Sequence, residues 1–360
     1  MQQIIETESC ITTLQGALQR LGCSRFLLVC GKTFQQGTLF KHLKDIGIPF
    51  SVFDNFKPNP LYENVCKGLD VFREHRCDVI VAIGGGSAMD VAKCVKLYSP
   101  MESGRDYLSL TPSDSEIPLI AIPTTAGTGS ESTQYAVIYK DGVKQSVHHQ
   151  SILPDIAILD SGLLSSLPPY QKKCTLLDAL CQAIESLWSV NATVESQLIA
   201  QHSIQGIMNH YREYLQNNSD AARQIMKAAN QAGQAIAITQ TTAPHAMSYK
   251  LTSIYGIPHG HAVALCLPEV WDYMNSHSPV DENLNLRFKT IADSLGCENI
   301  ESGIKRFRDL LLELDIKAPL LGNETNLDIL AASVNTTRLK NNPIPLSYST
   351  LYQLYKQLFS

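Results

Sequence analysis

The sequence predicts a chain of two halves, an α/β half with a mainly parallel sheet and then an all-helical half. Over the first 160 residues, short β-branched runs alternate with longer amphipathic runs, an order typical of βαβ units. After Leu167-Pro168-Pro169 the strand-like runs nearly vanish. A length of 360 residues suits about two domains. We therefore expect one domain over residues 1–160 and a second over residues 161–360.

The elements follow from periodicity in chain order. Short apolar runs predict five strands, at residues 25–30, 49–53, 78–83, 118–122 and 156–159. Amphipathic runs at 61–75 and 88–97 predict helices between them. Lys140-Asp141-Gly142 predicts the turn of a hairpin over 135–147. The helices predicted for the second half cover residues 171–187, 194–215, 221–239, 261–274, 284–295, 300–314 and 327–334.

Composition and charge exclude several classes of protein. Hydrophobic residues make up 44% and charged residues 18% of the chain, which favours a packed core over disorder. The net charge of −5 argues against a generally basic nucleic-acid binder. The apolar runs are far shorter than the roughly 20 residues of a membrane helix, and the first residues do not resemble a secretory signal. We expect a cytoplasmic protein with neither a nucleic-acid nor a membrane partner.

The ten cysteines are scattered and form no CxxC pair. Several lie inside apolar runs, which is typical of reduced, buried thiols in a cytoplasmic protein. A thiolate metal site is therefore not expected.

A glycine-rich turn predicts an anion site. Gly84-Gly85-Gly86-Ser87 follows the strand at 78–83 and precedes the helix that begins near Ala88. Glycines allow a phosphate to approach the backbone, and a helix N-terminus offers N–H groups and a positive dipole. The usual GxGxxG fingerprint is absent, and the turn follows the third predicted strand rather than the first. The alternative is a left-handed turn without a ligand.

A second glycine- and hydroxyl-rich stretch follows the strand at 118–122. Pro123-Thr124-Thr125-Ala126-Gly127-Thr128-Gly129-Ser130-Glu131 could line a ligand cleft at the carboxyl ends of parallel strands. The alternative is a polar surface loop.

Together these motifs resemble the iron-containing alcohol dehydrogenase family. The resemblance rests on Gly84-Gly85-Gly86-Ser87-x-x-Asp90-x-x-Lys93, on the stretch from Pro123 to Glu131, and on two further motifs in the same order. Those two are Pro154-Asp155-Ile156-Ala157-Ile158-Leu159-Asp160 and Leu167-Pro168-Pro169. It implies a dehydroquinate synthase-like fold. Residues 1–160 would form a Rossmann-like dinucleotide-binding domain, and residues 161–360 a helical metal- and substrate-binding domain.

The resemblance also implies the cofactor residues. The pyrophosphate region would be held by Gly84, Gly85, Gly86, Ser87 and Asp90, and the rest of the cofactor by Thr124, Thr125, Thr128 and Ser130. Where the family often carries an acidic residue after its first strand, this chain has Gly31-Lys32-Thr33. Gly31 leaves room for a ribose 2′-phosphate and Lys32 supplies a cation, so we expect NADPH to be preferred over NADH.

The resemblance implies a metal site as well. Asp178 and Gln182 are four residues apart and share a helix face, whereas the family has Asp and His there. His245 and His259 match the two remaining family ligands, fourteen residues apart. Asp178, His245 and His259 suit Fe(II) or Zn(II), and Gln182 could add a weaker amide oxygen. Loss of the metal remains an alternative.

The candidate proton donors are Tyr249 and His261. Tyr249 stands four residues after His245, where the family usually has a histidine described as a proton relay. A phenol with an ordinary pKa near 10 is a weaker acid at neutral pH. His261, two residues after His259, is the second candidate. For Tyr249 the alternative is simple packing.

Within the family, the run from His245 to Ala262 most resembles phosphonoacetaldehyde reductases, and Gln182 fits that branch. This implies metal-assisted reduction of phosphonoacetaldehyde to 2-hydroxyethylphosphonate with hydride from NADPH or NADH. The phosphonate needs cations, and Lys250 and Arg338 are the candidates, with Lys340 nearby. For the last two the alternative is a solvated loop.

Three other functions remain open at this point. One is a generic NAD(P)-dependent alcohol dehydrogenase acting on another small aldehyde or alcohol. Another is a dehydroquinate-synthase-like cyclase or a polyol-phosphate dehydrogenase, which share the Gly-Gly-Gly-Ser-x-x-Asp motif. The third is a nucleotide-binding regulator without catalysis, suggested only by Gln182 and Tyr249. Family precedent implies a homodimer or a larger homo-oligomer.

Overall fold

The computed structural model describes residues 2–102, 104, 106–277 and 282–360. The chain divides into two compact units, Met1–Ser166 and Leu167–Ser360. The first contains every strand of the described residues, and the second is helical. The predicted fold class is confirmed.

A six-stranded parallel sheet forms the centre of the N-terminal unit. Its strand order is β1-β8-β5-β4-β2-β3. The strands are β1 (Gln3–Thr7), β2 (Phe26–Cys30), β3 (Phe50–Phe53), β4 (Val79–Gly84), β5 (Leu119–Pro123) and β8 (Ile156–Asp160). The remaining two strands, β6 (Tyr135–Lys140) and β7 (Val143–His148), pair as a separate antiparallel hairpin.

Both faces of the sheet are covered, as expected for parallel strands. Alternate side chains of β2 and β4 enter opposite cores: Leu27 and Ile80 pack in one, Leu28 and Val81 in the other. The helices of this unit are α1 (Cys10–Arg20), α2 (Lys32–Gln35), α3 (Thr38–Lys44), α4 (Tyr62–Glu74) and α5 (Gly86–Tyr98).

The five predicted strands are present, and their ends differ from the predicted ones by one residue or less. The hairpin is also present, and its turn residues Asp141 and Gly142 both have positive φ, at 51° and 74°, as a type I′ turn requires. The sequence analysis missed β1. The glycine turn therefore follows the fourth strand of the chain, which corrects the expected third. β1 is an edge strand whose partner β8 lies about 150 residues later, so local pattern alone does not identify it.

The strand order creates a switch point between β2 and β4. From β2 the chain crosses to β3 on one side, and from β4 it crosses to β5 on the other. Ligands of open α/β sheets bind outside the carboxyl ends of the strands at such a point. Those ends carry Gly31 and Gly84, since Cys30 pairs with Ile83.

In the part of the C-terminal unit that the structure describes, there are ten helices. They are α6 (Pro169–Trp188), α7 (Val194–Leu215), α8 (Ser219–Thr239), α9 (Ala243–Tyr255), α10 (His259–His277), α11 (Glu282–Ser294), α12 (Ile300–Glu313), α13 (Thr325–Ala332), α14 (Thr336–Leu339) and α15 (Tyr348–Leu358). Helix α6 is buried over nearly its whole length and packs against α7, α8 and α10. Polar side chains that point inward from α6 are therefore enclosed by protein.

The sequence analysis missed α9, α14 and α15. Helix α9 carries Pro244 in its first turn, where proline is tolerated because that N–H has no helical partner. Helix α15 follows a Ser347 cap that accepts a hydrogen bond from Thr350 N, a signal visible in the sequence.

All ten cysteines are free, and seven of them are buried. Among the described helices, we find none with both the length and the apolar character of a bilayer-crossing segment.

Candidate active site

The glycine turn joins β4 to α5. Gly85 is the N-cap of α5 and, as a glycine, has no side chain with which to cap it. A Cβ atom on Gly84 would lie 2.8 Å from Cβ of Ala88, so the turn needs glycine there. The uncapped N-terminus of a 13-residue helix is a suitable place for a phosphate.

The second glycine-rich stretch lies against this turn. Thr124 N donates to Gly84 O at 3.0 Å. Cβ atoms on Gly85 and Gly86 would meet the side chains of Thr125 and Thr128, at 3.4 and 3.1 Å. The structure therefore brings the two motifs together at the carboxyl ends of β4 and β5.

A buried lysine ties the second stretch to α5. Lys93 is fully buried, and its Nζ donates to Ser130 Oγ (2.9 Å), Thr133 Oγ1 (3.0 Å) and Tyr135 O (2.8 Å). Burial lowers the pKa of Lys93 and raises that of its neighbour Asp90, while the attraction between them opposes both shifts. Ser130, predicted to contact the cofactor, thus accepts a hydrogen bond from Lys93, and its contact with the cofactor stays a prediction. The sequence analysis quoted Lys93 in a motif without giving it this role.

Gly31 and Lys32 follow β2 at the switch point. No atom of the described residues lies within 4 Å of a Cβ atom built on Gly31, and Lys32 begins α2 with an exposed side chain. This corner has the space and the cation that the sequence analysis expected.

Three helices of the C-terminal unit bring Asp178, His245 and His259 together. They come from α6, α9 and the first residue of α10, and one ligand atom of each lies within 4.8 Å of the others. Asp178 Oδ1 is 3.4 Å from His245 Nε2 and 3.9 Å from His259 Nε2. Asp178 and His245 are buried, whereas the His259 side chain is 36% exposed. The cluster is therefore open on the His259 side.

The atoms of this cluster fit a divalent cation. Asp178 Oδ1 and His245 Nε2 are buried and make no hydrogen bond with a described residue, a costly state that a bound cation would relieve. Burial raises the pKa of Asp178, but His245 and His259 outweigh it, and the pKa is lower than usual. Gln182 interacts with Asp178, and its buried Oε1 accepts no hydrogen bond from the described residues. Gln182 is therefore a buried neighbour of the cluster residue Asp178.

A glycine allows α10 to reach Asp178. A Cβ atom on Gly260 would lie 1.9 Å from Cys174 O and 2.8 Å from Asp178 Cβ. Because only glycine fits, the backbone that carries His259 can approach α6.

A buried carboxylate that the sequence analysis did not name supports His245. Glu185 lies seven residues after Asp178 on α6 and is fully buried. Its Oε2 contacts His245 Nδ1, and its Oε1 accepts from Thr242 Oγ1 (2.9 Å), Thr242 N (3.3 Å) and His245 N (3.2 Å). Burial disfavours the imidazolium, but Glu185 and Asp178 raise the pKa of His245 to about 9. The i, i+4, i+7 spacing of 178, 182 and 185 could have identified it.

Aromatic and cationic groups adjoin the exposed side of the cluster. The Tyr249 ring stacks on His259, with ring centroids 5.6 Å apart and planes within 3°. The Arg338 guanidinium lies 5.7 Å from the centroid of Tyr249. Ser248 Oγ lies 3.3 Å from His259 Nδ1. Tyr249 and Arg338 are thus the predicted residues that the structure brings to the cluster.

His261 is not one of the three cluster residues, and its role as a proton donor stays a prediction. It is two residues after His259 and therefore points to the opposite side of α10. Its Nδ1 pairs with Tyr170 OH at 2.7 Å and its Nε2 with Lys317 O at 2.9 Å. Burial lowers its pKa. Both nitrogens are engaged elsewhere.

Lys250 lies on a different face of α9 from the cluster residues. His245 and Tyr249 are one turn apart and share a face, whereas Lys250 is rotated by about 140° from His245. The side chain is half-buried. Of the two predicted cations, Arg338 is therefore the one that lies beside the aromatic ring stacked on His259.

Comparisons with known proteins give matches over nearly the whole chain. The sequence model of iron-containing alcohol dehydrogenase matches residues 2–161, and the C-terminal model of the Fe-containing alcohol dehydrogenase family matches residues 173–359. Alcohol dehydrogenase 4 of Schizosaccharomyces pombe is 32% identical over 327 residues, or 87% of this chain and 76% of that protein. NADPH-dependent butanol dehydrogenase of Clostridium saccharobutylicum is 29% identical over 78% of this chain and 74% of its own. The crystal structure of sulfoacetaldehyde reductase from Bifidobacterium kashiwanohense in complex with NAD+ is similar, with a TM-score of 0.92 and 27% identity. That match covers 100% of this chain and 97% of the other.

Proposed function

The chain belongs to the iron-containing alcohol dehydrogenase family, and from this premise we propose that it reduces a small anionic aldehyde, phosphonoacetaldehyde, to 2-hydroxyethylphosphonate. It is an NAD(P)-dependent oxidoreductase that acts on CH–OH groups. The proposal adds the substrate and the residues that recognise it. The observation that carries the substrate class is the Arg338 guanidinium beside the ring that stacks on His259.

We assign the cofactor to residues 1–160. The backbone N–H groups at the start of α5 come from Gly84, Gly85, Gly86 and Ser87. Thr125 and Thr128 lie next to this turn, and Thr124 follows the neighbouring strand β5. Asp90 and Ser130 act with Lys93 to hold the second stretch in place. Gly31 and Lys32 would accept a 2′-phosphate, so NADPH is the preferred cofactor of this proposal.

We assign the metal to residues 161–360. Asp178, His245 and His259 would hold a divalent Fe(II) or Zn(II) ion, with the Gln182 amide oxygen as a fourth ligand. When bound, the cation polarises the aldehyde oxygen, and the reduced nicotinamide supplies the hydride. The protein contributes a rigid ligand set on three packed helices.

The reaction consumes one aldehyde, one NAD(P)H and one proton, and yields one alcohol and one NAD(P)+. The hydride forms the new C–H bond, and the carbonyl oxygen must receive the proton. The Tyr249 hydroxyl is our candidate for that proton, because its ring adjoins His259 at the open side of the cluster. We choose Tyr249 for its position, because the position of a proton donor is a stronger criterion than its pKa.

The anionic group would be bound by Arg338. Guanidinium groups bind phosphonate and sulfonate oxygens through paired N–H bonds. The similar sulfoacetaldehyde reductase is named for a two-carbon aldehyde with a sulfonate, which supports an anionic aldehyde here. Lys250 is the second candidate, one residue after Tyr249.

A substrate panel with two matched variants tests the proposal. We expect the parent to prefer phosphonoacetaldehyde and sulfoacetaldehyde strongly over neutral propionaldehyde. Arg338→Met should lower kcat/KM for the anionic aldehydes by roughly 10- to 100-fold, the loss of one charge-assisted contact. Propionaldehyde should lose little. Lys250→Met should leave all three nearly unchanged.

Three outcomes contradict parts of this proposal. A preference of the parent for propionaldehyde would favour a generic alcohol dehydrogenase. A larger loss for Lys250→Met than for Arg338→Met would transfer the anion contact to Lys250. Equal losses for charged and neutral aldehydes would make Arg338 general to catalysis rather than selective.

A further inference from the structure

Glu185 is the buried carboxylate that meets His245 on the side away from Asp178. It is fully buried on α6, in a helix that turns almost entirely inward. A buried carboxylate is costly unless hydrogen bonds satisfy it. Four contacts satisfy the Glu185 carboxylate, and two of them come from the hydroxyl and the backbone N–H of Thr242. The other two come from the ring and the backbone N–H of His245.

The two oxygens of Glu185 have separate tasks. Oε2 contacts Nδ1 of the His245 ring. Oε1 accepts three hydrogen bonds at the start of α9, from Thr242 Oγ1, Thr242 N and His245 N. Trp188 Nε1 donates to Thr242 Oγ1 at 2.8 Å, which fixes the hydroxyl so that its proton points to Glu185. The carboxylate therefore holds both the backbone and the ring of His245.

A carboxylate at Nδ1 determines which nitrogen is available to a cation. It requires the N–H on Nδ1, so the lone pair stands on Nε2. Nε2 is the atom that faces Asp178 Oδ1 at 3.4 Å and makes no hydrogen bond with the described residues. Carboxylate partners of this kind orient metal-binding histidines and increase their basicity.

We propose that Glu185 is a positioning residue of the metal site, which fixes the orientation and the tautomer of His245 so that Nε2 binds the cation. This inference rests on the proposed metal site. Thr242 assists, because its hydroxyl and its backbone N–H set the carboxylate plane. Glu185 itself contacts neither the cation nor the substrate.

Glu185→Gln tests the role with little change in shape. A glutamine has one acceptor oxygen, whereas Glu185 uses two. If the glutamine oxygen keeps the bonds at the start of α9, its NH2 group faces His245 Nδ1 and cannot accept the ring N–H. We expect the affinity for Zn(II), measured by competition with a fluorescent chelator, to fall by roughly 10- to 100-fold. The visible absorption bands of the Co(II)-loaded protein should also shift.

Glu269→Gln is the matched control. Glu269 lies on α10, the helix that begins with His259, and pairs with Arg308 rather than with a cluster residue. The same change of charge there should leave Zn(II) affinity and the Co(II) bands unchanged. An equal loss of Zn(II) affinity in Glu185→Gln and Glu269→Gln would overturn the proposal, because the loss would then come from a general loss of protein stability.

If Glu185→Gln does not fold, a comparison of Zn(II) binding by Thr242→Val and Thr242→Ser tests the same role. Valine removes the hydroxyl bond to Glu185 and should weaken Zn(II) binding by roughly 2- to 10-fold, whereas serine should bind like the parent. Equal affinity of the valine and serine variants, or of Glu185→Gln and the parent, would overturn the role of Glu185. If the parent protein binds no divalent metal, the proposed metal site itself is wrong. The experiment distinguishes this result from the failure of the Glu185 role alone, in which the parent and the variants bind metal equally well.

Discussion

The Gln182 amide stands one helical turn after Asp178, buried beside the cluster. A neutral amide oxygen is a weaker ligand for Zn(II) or Fe(II) than an imidazole nitrogen. We expect Gln182→His to tighten Zn(II) binding by roughly tenfold or more, about 1.4 kcal/mol. Gln182→Ala should weaken it. Chelator competition measures both, and unchanged affinity in the two variants would place Gln182 outside the ligand set.

In the proposed cofactor site, Gly31 is the residue expected to set the preference between the two nicotinamide cofactors. Because no atom of the described residues lies within 4 Å of a Cβ atom there, Gly31→Asp should fold normally and place a carboxylate near the proposed position of the 2′-phosphate. We expect its Kd for NADPH to rise by at least about tenfold through charge repulsion, with NADH affected little. Isothermal titration measures both.

Gly31→Asn has nearly the same size without the charge and should retain the parent's preference. If the cofactor preference of Gly31→Asn shifts as far as that of Gly31→Asp, then the size of the side chain rather than its charge determines the preference.

At the scale of elements, the metal cluster depends on how closely α10 approaches α6. Gly260→Ala would put a Cβ atom 1.9 Å from the backbone oxygen of Cys174, and a backbone atom cannot move aside cheaply. We expect a loss of about 1–3 kcal/mol in the free energy of unfolding. Zn(II) affinity should also fall, because His259 moves away from Asp178. Urea unfolding and chelator competition measure the two effects.

Gly16→Ala in α1 is the control for this helix contact. Its nearest neighbour would be the tip of Arg20, at 4.0 Å, so alanine should be neutral or slightly stabilising. Normal stability of Gly260→Ala would contradict the close approach of α10 to α6.

At the scale of the whole molecule, the metal ligands connect three helices of one unit. A ligand present at 100 times its Kd stabilises the folded state by about 2.7 kcal/mol. For a unit of this size that corresponds to a rise in Tm of about 5–10 °C. Both tryptophans, Trp188 and Trp271, lie buried in the C-terminal unit, so intrinsic fluorescence reports the unfolding of that unit.

We expect chelator treatment to lower this Tm and added Zn(II) to restore it. His259→Ala should show a Tm that does not respond to either treatment. A parent whose Tm is insensitive to chelator and metal would contradict a stabilising ion in the C-terminal unit.

The sequence by itself determined every strand of the described residues except β1, most of the longer helices, and the positions of the two glycine-rich turns. These are local properties: β-branched runs, helical periodicity and glycine at a strand–helix junction act within a few residues. The hairpin is an example, since Asp141-Gly142 specifies its turn. The resemblance to the iron-containing alcohol dehydrogenase family, matched at Asp178, His245 and His259, also identified a set of residues that the fold brings together.

Only the tertiary structure decided which side chains meet. β1 is a strand because β8 pairs with it, and the partners of the two His261 ring nitrogens, Tyr170 and Lys317, come from distant segments. Glu185 reaches His245 across 60 residues of chain, and Lys93 reaches Ser130 from the neighbouring motif. Such contacts depend on the packing of distant segments and on the direction of each side chain, and a local pattern specifies neither.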